Sequence, residues 1–115
     1  MALSELEIKR IEKTMAEYMA RNQPTPHIRS QLDIGWRLTG QSLEIFQRRP
    51  AWDKPAEIRE RSFVKTTFVR TTGQWKLFWV RQDLRWHGYE QALHHRTLDA
   101  VIAEIEADPY GCFGG

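Results

Sequence analysis

The sequence predicts an α+β domain: a four- to five-stranded antiparallel meander sheet with an N-terminal and a C-terminal helix packed mainly on one face. Three observations carry this prediction. A capped apolar stripe of helical period opens the chain, stretches of period-two alternation broken by glycine turns fill the middle, and a second capped stripe lies near the end. A chain of 115 residues can bury one core without disulfides or metal and is too short for two ordinary domains. The expected organisation is one domain over residues 1–109 and a glycine-rich tail over 110–115.

The first helix starts at Ser4, an N-cap whose capping box is completed by Glu7, with Leu3 and Ile8 as the hydrophobic staple. Leu3, Ile8, Ile11, Met15, Tyr18 and Met19 follow at three- and four-residue steps, until Pro24 and Pro26 stop the helix. From His27 the period changes to two. Ile28, Leu32, Ile34, Trp36 and Leu38 are assigned to one strand face, with Arg29, Gln31, Asp33 and Arg37 on the other. Thr39-Gly40-Gln41 turns the chain into a second strand over 42–49, where Leu43 and Ile45 oppose Glu44, Phe46 and Arg48.

Residues 50–61 have no sustained period and read as an irregular connection. Phe63–Arg70 and Trp75–Arg81 form a second hairpin about Gly73, and Arg85–Tyr89 adds a brief fifth strand after a turn at 82–84. Thr97 caps the last helix, whose apolar face is Leu98, Val101, Ile102 and Ile105, ending at Asp108-Pro109. The aromatics of the tail can pack back, although three glycines in its six residues favour a mobile end.

Charge is distributed unevenly. Residues 27–89 carry twelve basic against six acidic groups, whereas residues 90–115 carry one against five. A positive field of this kind attracts polyanions. The single cysteine, Cys112, fits a reducing compartment, and the start MALSELEIKR lacks the basic and apolar regions of a secretory leader, so a cytoplasmic location is expected. The longest fully apolar run, Leu77-Phe78-Trp79-Val80, is far too short to span a bilayer.

The segments WKLFWVRQDLRWHGY (75–89) and EADPYGCFGG (106–115), behind an N-terminal helix and a hairpin, resemble a bacterial family known as a domain of unknown function, the DUF3024 type. Arg85-Trp86-His87-Gly88-Tyr89 and Asp108-Pro109-Tyr110-Gly111-Cys112-Phe113 are the most specific pieces. The resemblance spans nearly the whole chain. It implies a stand-alone domain and brings no catalytic residues with it.

Three constellations are candidates for function. The first is the sheet face away from the helices, with Arg29, Arg37, Arg48 and Lys76 for charge and Phe46 and Phe78 for flat contact. Strand three adds Lys65 with Phe63, or Arg70 with Phe68, depending on its phase. Cations interleaved with rings suit single-stranded nucleic acid or an acidic protein partner. The plainer alternative has the two rings covered by the connection around Trp52 or by a second subunit.

The second candidate is His87 as the base of a small hydrolase or nuclease, with Asp83 beside it in sequence. The third is a homodimer, suggested by five tryptophans and by the opposed charge of block and tail. Cys112 reads as an incidental thiol. No cofactor, metal or phosphate-binding glycine loop is implied, since no His-Glu-x-x-His, paired cysteines or clustered glycines occur.

Overall fold

Ser4 closes the first helical turn as its sequence demands: its Oγ accepts from the Glu7 N–H at 3.2 Å while its own N–H donates to Glu7 Oε1 at 2.8 Å. The computed structural model describes residues 3–113, within which the elements are α1 (Glu5–Asn22), β1 (Asp33–Thr39), β2 (Ser42–Pro50), β3 (Ile58–Val69), β4 (Gln74–Val80), β5 (Trp86–Gly88), β6 (His94–His95) and α2 (Leu98–Ala107). Strands β1 to β5 form an antiparallel meander in chain order. Both β5 and β6 pair with β4, β5 along 78–80 and β6 along 75–76, so two short pieces share one edge.

The helices pack on one face. Ile11, Met15 and Tyr18 of α1 and Leu98, Val101, Ile102 and Ile105 of α2 join Leu43, Ile45, Val64, Trp75 and Leu77 of the sheet in one buried cluster. Thr66, buried on this inner face, donates its hydroxyl to the Lys76 carbonyl at 2.8 Å and so carries no unpaired polar atom into the core. Thr14 bonds Asp99 (2.8 Å), and Arg21 grips Glu106 through two bonds of 3.0 and 2.9 Å, so the two helices run side by side in the same direction. No helix among the described residues is long and apolar enough to cross a membrane.

Three expectations are corrected. Residues 26–31 are turns, and β1 begins only at Asp33. Ile28 and Leu32 are four apart, a spacing that a strand face and a helical turn share, and the bond from the Leu32 N–H to the Ile28 carbonyl at 3.0 Å makes it a turn. Ile28 is accordingly exposed rather than facing the helices. The irregular connection is shorter than residues 50–61, because β3 starts at Ile58 opposite Pro50 and extends the β2–β3 hairpin. Residues 58–61 are exposed, so no buried stripe marks them as strand.

The chain end is not free of the core. Phe113 is 4% exposed and packs against buried Tyr89 with ring centroids 5.0 Å apart, its N–H donating to Asp108 Oδ1. Gly114 and Gly115 of the expected tail lie outside the described residues.

Candidate functional site

Alternation places Arg37, Glu44, Lys65, Phe78 and Gly88 in one row across the outer face, with Gly35, Phe46 and Ser62 in the next. Of the residues assigned to this face from sequence, Arg37, Phe46, Arg48, Lys76 and Phe78 are on it. Arg29 is not: it sits in the 26–31 turns, where its Nε donates to the Pro24 carbonyl at 2.8 Å. A bulge decides strand three. Ile45 faces Val64 while Phe46 faces Ser62, leaving Phe63 as the extra residue. Lys65 therefore stays outside while Phe63 packs against the core, and Phe68 joins it there beside Trp75.

The face has two halves. In the β1–β2 half, Phe46 is only 5% exposed. It lies opposite Gly35, where an added Cβ would come within 2.6 Å of the ring, and the guanidinium groups of Arg37 and Arg48 cover it at 4.5 and 4.9 Å from its centroid. Glu60 ion-pairs with both arginines. Charge and ring there are satisfied within the chain.

In the β3–β5 half, Lys65 Nζ stands 5.7 Å from the centroid of Phe78 and 6.0 Å from that of Trp86, both half-buried, and Lys76 is in the adjacent row. No salt bridge among the described residues engages either lysine. Trp86 is a contact residue that the sequence pattern does not single out. Continuing the alternation of β4 through the 82–84 turn, with Val80 opposite Trp86, is the signal that finds it.

His87 and Asp83 do meet. His87 Nε2 lies 2.8 Å from Asp83 Oδ2, while Asp83 Oδ1 accepts from the Arg85 N–H at 3.0 Å. These two hydrogen bonds hold the Asp83 carboxyl below its ordinary pKa, the backbone donor contributing most. The turn that brings them together bends at Leu84, which has a positive φ of 62°. A left-handed leucine costs about 1–2 kcal/mol. Cys112, by contrast, has its thiol pKa pushed up by burial and by Asp108, away from nucleophile chemistry. No three His, Cys, Asp or Glu side chains among the described residues are grouped to hold a metal ion.

The five tryptophans divide sharply. Trp75 is buried, Trp36 and Trp79 pack against the core, Trp86 is half-buried on the outer face, and Trp52 at the β2–β3 hairpin tip is 91% exposed. Trp52 therefore covers neither ring of the outer face.

Fold and sites together define a two-layer α+β domain with one helix-covered and one open sheet face. The family model described as "Domain of unknown function (DUF3024)" matches residues 3–115, and the chain belongs to that family. No curated protein and no solved structure matches the chain.

Proposed function

We propose that this domain is a non-enzymatic module that binds single-stranded nucleic acid through the β3–β5 half of its outer sheet face. The observation that carries the reading is Lys65 set between the Phe78 and Trp86 rings, on a face no helix covers. A lysine neutralises phosphate while neighbouring rings stack on bases, a combination indifferent to sequence. Lys76 extends the charge, and Arg37 and Arg48 supply a rim whose field is partly cancelled by Glu60.

The test is fluorescence anisotropy with single-stranded RNA, single-stranded DNA and duplex DNA at two salt concentrations. Binding should prefer single strands and weaken steeply with salt. Replacing Phe78 or Trp86 by alanine should each cost about tenfold, as stacking contributes roughly 1–3 kcal/mol per base. Absence of binding at low salt would eliminate nucleic acid and leave an acidic protein partner or a second copy of the chain for this face. Mass measured over a dilution series separates those two.

The 2.8 Å contact between His87 and Asp83 favours a second reading, a small hydrolase or nuclease in which Asp83 orients His87 as general base. Its test is hydrolysis of nucleic acid and simple esters by the wild type and H87A. A rate falling by roughly two to four orders of magnitude supports it, and an unchanged rate removes it.

A further inference from the structure

The inner sheet face continues past the helices at the β4–β5 end. Trp79 stands opposite His87 there, and these two line an open groove of about 720 Å³ together with Arg61, Arg81 and Asp83. Arg81 lies over the Trp79 ring at 5.7 Å. The groove is on the other side of the sheet from Lys65, Phe78 and Trp86, so a ligand bound in it is independent of any on the outer face.

Many arginines of this chain have their charge answered internally. Arg21 pairs with Glu106, Arg37 and Arg48 with Glu60, Arg59 with Asp53 and Glu57, and Arg70 with Glu7. Arg61 and Arg81 have no salt bridge among the described residues, and they open onto the same groove as the one histidine that a carboxylate orients. Asp83, the one carboxylate in the groove's lining, interacts with Arg81 and offsets one of the two positive charges, which leaves the groove with a net positive charge. Asp83 has one oxygen on the Arg85 N–H and the other on His87 Nε2, which fixes that nitrogen as the protonated one when the ring is neutral. His87 Nδ1 then remains for a ligand.

We infer that this groove is a binding site for a phosphate monoester. Two guanidinium forks present paired donors matched to the oxygens of a tetrahedral oxyanion, and they hold a dianion more firmly than a monoanion. Nδ1 of His87 donates to a P–O⁻ oxygen of the dianion when the ring is protonated, and accepts from the P–OH of the monoanion when it is neutral. The Trp79 ring, backed by Arg81, forms an apolar wall for the organic part of the ester. The Leu84 turn holds the assembly: its left-handed backbone is what folds Asp83 back to within reach of His87.

The test is an NMR titration of the intact chain with inorganic phosphate at constant ionic strength, maintained with chloride, reading the His87 ring and Trp79 indole signals. Saturable shifts confined to the groove are expected, and dimethyl phosphate, a monoanionic diester, should bind more weakly. R61Q and R81Q should each weaken phosphate binding about tenfold or more, the loss of a charge-assisted hydrogen bond. K9Q, at an exposed position of α1, should leave it unchanged. Dispersed indole signals in each variant establish that it is folded. Shifts that never saturate, or that survive both R61Q and R81Q, overturn the site, and equal affinity for the diester overturns the monoester assignment.

Discussion

Phe46 and Phe78 point from the same side of the sheet, two strands apart, and cations approach both, yet their surroundings differ. Phe46 has Gly35 opposite it and two arginines above it that share Glu60, so it is a small second core on the outer face. Phe78 has Lys65 across the ladder and Trp86 nearby, and although Glu44 stands opposite Lys65 on β2, no salt bridge among the described residues engages that lysine. Both places set cations against an aromatic ring. What separates them is whether the surroundings supply a hollow for the ring and an ion pair for its cation.

The two halves should part most widely at Phe46. F46A should cost about 3–5 kcal/mol, the range for deleting a buried phenyl ring, whereas F78A should cost clearly less because its ring is half-buried. Urea unfolding of the two variants checks the ordering, and equal losses would erase the distinction between the halves. Next comes G35A. Its Cβ meets Phe46 Cζ at 2.6 Å and Cε1 at 2.7 Å, so the ring must move, at about 1–3 kcal/mol. The double variant G35A/F46L should recover part of that loss, because the shorter side chain vacates the space.

A smaller effect sharpens the same contrast. E60Q removes the shared counter-charge of Arg37 and Arg48, and since these are partly exposed pairs the stability change should stay within about 1 kcal/mol. Affinity for single-stranded RNA should nevertheless rise, with a steeper salt dependence, as two cations are released to the ligand. Unchanged salt dependence would mean that the β1–β2 half never meets the strand.

The smallest effect is a control outside both halves. Glu7, bonded to Arg70 at 2.9 Å, has its pKa lowered from 4.5 to about 2, chiefly by that bond and then by the Ser4 N–H. A depressed carboxylate contributes stability that is present above pH 4.5 and lost as the pH falls through about 2. Stability curves of wild type and E7Q should therefore differ at neutral pH and converge in acid, while F46A and F78A keep their separation throughout.

Much of the fold is legible in the sequence because its signals are local. Ser4, Glu7 and Thr97 act as caps through bonds spanning three residues, and the alternation of β2 and β4 requires only that one face be buried. The assignment of Arg37, Phe46, Arg48, Lys76 and Phe78 to one face follows from that alternation alone. The bulge at Ile45/Phe46 is not legible: it is a mismatch between two strands, and each strand alternates regularly enough alone. Glu60 is hidden for a related reason, since residues 58–61, the exposed Ile58 included, face solvent and show no apolar alternation. Arg29 is misplaced by pattern because the four-residue spacing of Ile28 and Leu32 fits a strand face and a helical turn alike, and only the Leu32-to-Ile28 backbone bond decides between them.

The order of the strands has a kinetic consequence. Every long strand pairs with its neighbour in the chain, so the sheet can zip from hairpins whose loops lose little entropy on closing. The α1–α2 contacts are different in kind: Thr14 to Asp99 and Arg21 to Glu106 each span 85 residues. Those bonds become entropically accessible only after the meander has shortened the path between the chain's two ends. Refolding should then show a rapid phase that orders the hairpins and a later one that docks the two helices, with T14A and R21A slowing folding little and accelerating unfolding.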